Sequence, residues 1–454
     1  MTEAHVPAAR RGLITIFLLI AAVMNQIDIT IANVAMPHMQ GSTSASREQI
    51  AWVLTSYIVA AAICTPLVGW LAGRIGRRRL ILTSIACFTS ASVLCGLATS
   101  LEQLILFRML QGITGAALVP VSQATMLDSF PTEQHGKAMA VFGIGAIVGP
   151  LFGPLLGGWL TANASWRWVF LINLPFGVLS WLGLSAVMPE YRDAHAPRLD
   201  FFGFGLLGLG MGAAQLMLDR GQLQDWFEST EICLEAAVAA TCIFLFAVHT
   251  ATARNPFVSP RVFADRNFVV CAAIGFFLGI AIYSPMSLLP TMLDNLMGYP
   301  VFTIGMAMAP RGLGVLFAML VVARIIDKVD TRVMILFGLV LSASSSYIMS
   351  GVSLDTDRWP LVTSGLISGV GSSIIFVPLA ALAFATLPPR YRNEGTAMIT
   401  LIRNFGASVG IAAVQAMTTH NEAVVQSRLT EGIRPDNPIV GYAMPGGDLP
   451  YGGI

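Results

Sequence analysis

The stretch Met24-Asn25-Gln26-Ile27-Asp28-Ile29-Thr30-Ile31-Ala32-Asn33-Val34-Ala35-Met36-Pro37 sets the reading of the whole chain. It lies inside an apolar run that begins near Leu13. Asp28 falls about four helical turns in from that edge, roughly mid-bilayer for a helix rising about 1.5 Å per residue. A carboxylate at that depth costs about 2.5–3.5 kcal/mol on insertion scales, and more if left unpaired. Such a group faces protein or water, and it usually carries protons, ions or substrate. The plainer alternative is a structural carboxylate held by one arginine. Asn25, Asp28, Ile29 and Ala32 share one helical face. Gln26 and Asn33 share another, where their amides are expected to bond neighbouring helices.

Composition agrees with a lipid environment. Of 454 residues, 55% are apolar and only 11% are charged, and the mean hydropathy is +0.72. Soluble domains carry about 25% charged residues. A net charge of +1 gives no basic field for nucleic acid. The six cysteines fall in or beside apolar runs without CxxC or Cys/His spacing. They are expected to pack as small apolar residues, with neither a disulfide framework nor a metal site. The first run contains Asp28 and lacks a small-residue cleavage site, so it reads as a span rather than a removable signal.

Apolar runs of about 20 residues, enough to span, lie near 13–36, 50–72, 80–99, 104–127, 137–160, 168–188, 202–218, 231–250, 268–290, 303–323, 333–351, 360–386 and 395–417. With the N-terminus inside, seventeen Lys and Arg fall in inner segments and six in outer ones. That bias predicts a cytoplasmic N-terminus. The loop Gly69-Trp-Leu-Ala-Gly73-Arg74-Ile-Gly76-Arg77-Arg78-Arg79 after run two has a counterpart, Ala323-Arg-Ile-Ile-Asp327-Lys328-Val-Asp-Thr-Arg332, after run ten. Internal symmetry of this kind marks secondary transporters. It predicts an all-α polytopic fold with a six-helix half over 1–190 and a two-helix insertion over 191–262. A second half over 263–417 shows five runs, and a polar extracytoplasmic tail follows over 418–454. Thirteen spans are visible, and a lost last span is the expectation.

Three runs carry the mechanistic signals. In run five Gly145, Gly149, Gly153 and Gly157 recur every four residues, a groove for close approach of a partner helix. Pro150 and Pro154 within it each remove a backbone donor. In run four Arg108 and Gln111 share a face, and Arg108 is the natural partner of Asp28. A cation beside a buried carboxylate opposes the effect of burial on its protonation, a balance that suits a proton-exchanging acid. The alternative is an arginine snorkelling to the outer interface. Run twelve spaces Ser364, Ser368 and Ser372 by four, either packing glue or a mild polar lining. Tyr283, Ser284 and Ser287 put hydroxyls on run nine. The arginines of the 74–79 loop either cap helices or meet Asp128 at the inner end of run four. No catalytic constellation stands out, so an enzyme is not expected.

These residues resemble the major facilitator superfamily, and within it the fourteen-span drug:proton antiporter branch of the EmrB type. The segment Asp28–Pro37 looks like that branch's first-span motif, and Arg108-Met-Leu-Gln111-Gly112 looks like its fourth-span motif. The glycine ladder is similar to its antiporter motif, and Gly69, Arg74, Gly76, Arg77 and Asp128 fit its cytoplasmic loop motif. Trp166-Arg-Trp-Val-Phe-Leu-Ile-Asn173-Leu-Pro175-Phe-Gly177 also fits, as does Arg403 in Arg-Asn-Phe-Gly. Gly73 stands where an Asp is usual, and Arg311 is unusual in its run and bears on substrate charge. The resemblance implies proton coupling through Asp28 and Arg108, driven by the proton motive force without a cofactor. It also implies export of small amphipathic or hydrophobic compounds across a bacterial inner membrane. Asn25, Gln111, Tyr283, Ser287, Ser368, Ser372 and Arg403 become candidates for the substrate path. A periplasmic adaptor and an outer-membrane channel are the implied partners. The rival readings are an importer or uniporter of the same fold, and a non-transporting partner produced by truncation.

Overall fold

A computed structural model describes residues 8–131, 134–190, 199–299, 301–326, 328–353, 358–388 and 391–431. Every regular element among them is helical. Among the described residues, eleven helices are long and apolar enough to cross a membrane, or twelve if one bent pair counts as a span. The expectation from the runs was thirteen. The 29-residue helix α7 (His135–Asn163) occupies the fifth run.

α1 (Ala8–Thr43) carries Asp28 through the middle of the bundle. The second run divides into α2 (Arg47–Cys64) and α3 (Leu67–Ile75), bent by 58°. Pro66 lies in that break, where it offers no N–H to continue the helix, while Thr65 Oγ1 donates to the Ala61 carbonyl at 2.6 Å. After α4 (Arg77–Leu97), the fourth run forms α5 (Leu101–Gly115) and α6 (Leu118–Ser129). The sixth forms α8 (Trp168–Leu171) and α9 (Asn173–Val187).

The pairings of the first half recur in the second. α1 packs on α7, and α2 packs on α5. Likewise α13 (Arg266–Asn295) packs on α17 (Arg392–Glu431), and α14 (Val301–Ile325) packs on α16 (Arg358–Ala385), which α15 (Thr331–Ser350) flanks. Glycines permit the close approaches. A Cβ at Gly112 would strike the Tyr57 carbonyl, and one at Gly369 would strike that of Arg311. Across the two halves α7 meets α14, and α17 meets α3 and α6.

The inserted pair, α10 (Phe201–Arg220) and α11 (Thr230–Thr252), packs together and lies against α2, with α10 also touching α17. Thr55 donates to Asp219, and Gln215 Nε2 donates to Ser408 Oγ at 2.9 Å. Asp200 caps α10 by accepting from the Gly203 N–H at 2.9 Å. The same carboxylate reaches His249 at 2.7 Å and the Phe257 N–H at 3.0 Å. It thereby ties both inserted helices to the segment that leads into the short α12 (Pro260–Ala264), which precedes the second half.

The polar tail that begins at residue 418 starts as helix, because α17 continues to Glu431. Thr418, Thr430 and Ser427 bond back to carbonyls three or four residues earlier, and no Gly or Pro interrupts this stretch before Gly432. At about 1.5 Å per residue, forty residues make a helix of about 60 Å, twice a hydrocarbon core of about 30 Å. The remainder of the tail, and the loop over 191–198, lie outside the described residues.

Candidate functional site

Asp28 has no exposed surface, and three side chains from two other helices converge on it. Arg108 Nη1 donates to Oδ2 at 2.6 Å. Gln111 Nε2 donates to Oδ1 at 2.7 Å, and Asn173 Nδ2 donates to the same oxygen at 2.8 Å. The three-residue spacing of Arg108 and Gln111 puts both on one face of α5, and Arg108 Nη1 also donates to Gln111 Oε1 at 3.0 Å. Arg108 Nε donates to the Val53 carbonyl on α2 at 3.1 Å. Its guanidinium lies 4.4 Å from the Tyr57 ring centre and 5.6 Å from that of Phe170. Burying an ion pair costs several kcal/mol per ion, which close geometry and added hydrogen bonds must offset. Here both conditions are met. An arginine reaching the outer interface is therefore not what forms: Arg108 has no exposed surface, because a partner of opposite charge stands within reach inside the bundle.

Asn173 is the member of this cluster that sequence spacing did not reveal. It heads α9 and also donates to Ser92 Oγ at 2.9 Å, and Ser92 donates to the Phe170 carbonyl at 2.9 Å. A polar residue at the start of an apolar helix was the available signal. The expected face of Gln26 and Asn33 is corrected in part. Asn33 is exposed and, among the described residues, reaches only the Ile29 carbonyl of its own helix, at 3.5 Å. Gln26 instead fronts a cavity.

The glycine ladder of α7 receives α1, the helix that carries Asp28. A Cβ at Gly145 would come within 2.7 Å of Leu19, and one at Gly157 within 2.9 Å of Ile31. At Gly149 and Gly153 it would collide with Gln26 and Thr30. Thr30 Oγ1 donates across the groove to the Gly149 carbonyl at 3.1 Å. The backbone of α7 is helical through Pro150 and Pro154, but their side chains lie outside what is described.

Between the halves is a cavity of about 190 Å³. Asn25, Gln26 and Tyr57 line it from the first half, and Tyr283, Arg311, Ser372 and Arg403 from the second. Arg311 Nη2 donates to the Ile282 carbonyl at 3.1 Å, and the Arg403 guanidinium lies 5.5 Å from the Phe376 ring centre. Gln111 does not line the cavity, because its amide is committed to Asp28. Ser287 and Ser368 are half-buried and are not among the lining residues. The serines of α16 thus serve unequally, since Ser364 is buried against α15, where its carbonyl accepts from Ser345 Oγ at 2.8 Å.

At the end of the bundle that holds the 69–79 loop, Asp128 accepts from Arg77 of α4 and, at 3.1 Å, from Arg392 Nη1 of α17. One carboxylate thus ties the two halves, and the position of Gly73 is not needed for it. Arg78 Nη2 donates to the Ser185 carbonyl near the end of α9 at 2.5 Å, the favoured place for a cation. Gly69 and Gly76 are buried, with Gly76 at φ +91°, whereas Arg74 is exposed. Lys328, its counterpart, follows Asp327, which lies outside the described residues. His135, at the head of α7, is buried beside Asp128 and Arg392, and its ring bonds the Phe130 carbonyl at 3.2 Å. Burial, with the Arg392 charge, holds its imidazole below the usual range.

Residues 18–411 match the family described as Major Facilitator Superfamily. The chain is 36% identical over 438 residues to the multidrug export protein EmrB of Haemophilus influenzae, covering 94% of this chain and 84% of that one. It is 34% identical over 426 residues to the fatty acid resistance protein FarB of Neisseria gonorrhoeae, covering 93% and 83%. Among solved structures, the proton:xylose symporter XylE superposes with a TM-score of 0.66 at 14% identity, covering 92% of this chain and 90% of that one. The human organic anion transporter MFSD10 gives 0.63 at 15% identity, covering 90% and 93%. At such identity these two speak to the fold alone. With a bundle of this pairing and relatives of this closeness along its length, the chain belongs to the major facilitator superfamily, on its EmrB-type branch.

Proposed function

We propose that the chain is a secondary active transporter that exports amphipathic, mostly hydrophobic compounds in exchange for protons. The observation that carries this reading is the Asp28 carboxylate, fully buried and paired with Arg108 close to a cavity between the two halves. The halves, 1–190 and 263–417, rock about that cavity in alternating access, and 191–262 is an accessory pair. The relatives' names as multidrug export proteins support export as the direction. Asp28 releases a proton when substrate binds and regains one from the outer side. One inward proton supplies about 2.3 kcal/mol per 100 mV and about 1.36 kcal/mol per pH unit, enough for a substrate ratio on the order of hundreds.

The setting that goes with this reading is a bacterial inner membrane with a cytoplasmic N-terminus, which the Lys and Arg bias supports. A periplasmic adaptor and an outer-membrane channel are the partners the EmrB likeness suggests, with the 221–231 turn and the 418–454 tail on the side to meet them. The test uses inverted vesicles that are acidic inside, challenged with lipophilic cations and antibiotics. A compound that collapses the gradient through the wild type but not through Asp28→Asn establishes the exchange. A gradient that collapses equally in both refutes coupling through Asp28.

A further inference from the structure

Asp28 has no exposed surface and is not itself among the residues that line the cavity. Tyr57 touches both the cavity and Arg108, the partner of Asp28. It is buried and lines the cavity, while its ring lies 4.4 Å from the Arg108 guanidinium carbon. Asn25, another lining residue, donates to the Tyr57 hydroxyl at 2.8 Å. Val53, one helical turn before Tyr57, gives its carbonyl to Arg108 Nε at 3.1 Å. One face of α2 therefore covers the arginine twice, by a carbonyl and by a ring. Arg108 Nη2 is buried and finds no acceptor among the described residues, so the aromatic rings are what meet the rest of that cation. Arg108, Gln111 and Asn173 all donate to Asp28, so both carboxylate oxygens are already engaged as acceptors. Proton exchange therefore requires the cavity to open toward Asp28.

We infer that Tyr57, pinned by Asn25, is the positioning residue that shuts the cavity off from the Asp28–Arg108 pair, and that a substrate lodged against it moves it aside. This rests on the proton-coupled reading above. When the ring leaves Arg108, water from the cavity reaches the carboxylate. The proton then moves between Asp28 and that water as hydronium, with no other group changing charge. Among the described residues, the other ionisable groups around Asp28 are Arg108 on α5, Cys95 on α4, whose Sγ lies 3.7 Å from Gln111 Oε1, and Tyr57 itself. The helices α8 and α9 contribute no charged residue, and those of α7 lie only at its head.

The test is proton flux into liposomes that contain the purified full chain and a trapped pH dye, with and without ethidium or anilinonaphthalene sulfonate. Wild type and Tyr57→Phe, which keeps the ring, are expected to hold the gradient until a probe is added. Tyr57→Ala is expected to leak protons without any probe, about tenfold faster or more, since a desolvated cation–π contact and a hydrogen bond are lost together. Adding Asp28→Asn to Tyr57→Ala should abolish the leak, and a merely loosened bundle would not respond in that way. Asn25→Ala, which frees the hydroxyl and leaves the ring, should give a smaller leak with the same dependence on Asp28. A tight Tyr57→Ala, or a leak that survives Asp28→Asn, overturns the inference. If probe-driven flux in the wild-type background is unchanged by Asp28→Asn alone, the proton-coupled reading fails, and the inference falls with it.

Discussion

Arg108 on α5 and Asp28 on α1 meet at 2.6 Å, and neither side chain has exposed surface. The pair holds together two helices of one half at the depth where an unpaired charge is least tolerated. Removing either partner therefore costs more than the contact is worth. Arg108→Ala should lower the thermal stability of the purified protein by about 3–5 kcal/mol and abolish proton-driven efflux. Arg108→Lys should not rescue it, because one ammonium cannot reproduce donors to Asp28, Gln111 and Val53 together. Melting curves and vesicle efflux, measured side by side, check both.

Asn173 supplies the third donor. Asn173→Ala removes its bonds to Asp28 and Ser92 and leaves a fully buried carboxylate one partner short. The expected cost is about 1–3 kcal/mol in stability, together with slower proton-driven efflux. Ser92→Ala should be milder, since it leaves the donor to Asp28 in place. Melting temperatures of the two variants test that order.

The groove of α7 gives a steric prediction. Gly149→Val and Gly153→Val would drive a side chain into Gln26 and Thr30 of α1. Overpacking of this kind costs about 1–3 kcal/mol and displaces the helix that carries Asp28. Gly205→Ala and Gly275→Ala, where a Cβ meets nothing within 4 Å, should be tolerated. Yield, melting temperature and efflux of the four variants form the comparison.

The Arg77–Asp128–Arg392 cluster links the halves at one end, so Asp128→Asn should let α6 and α17 part there. Spin labels at the two helix ends should report a longer and broader distance distribution. His135 adds a pH dependence to the same latch. Its folded value is held below the ordinary one by burial and by Arg392, so the closed arrangement prefers the neutral ring. The contribution is fully present above the ordinary imidazole range of about 6.5 and is lost as pH falls through it. The labelled distance should widen on acidification in the wild type and respond less in His135→Gln.

Much of this arrangement was legible in the sequence, for physical reasons. A carboxylate inside one apolar run and an arginine inside another are natural partners, which points to Asp28 and Arg108, although Arg311 and Arg403 also lie within runs. Glycines at fixed four-residue spacing define one helix face, although that face does not say which helix fills it. Asn173 and Tyr57 were harder to see. Each is an ordinary residue for its helix, and its role depends on a contact more than thirty positions away along the chain. The same holds for Arg392, whose partner Asp128 lies in the other half. Ser287 and Ser368 went the other way: their residue types suit a polar lining, but helix rotation decides which face meets the cavity, and a four-residue period cannot fix rotation. The helical extension of α17 to Glu431 leaves no trace in an apolar-run reading, because its residues are largely polar.

The most direct measurement is substrate-induced proton release from the purified protein in weakly buffered detergent, comparing wild type with Asp28→Asn. The account predicts a stoichiometric release on adding a transported compound to the wild type, and none from the variant under the same conditions. Release of equal size from Asp28→Asn would contradict the claim that this carboxylate carries the exchanged proton.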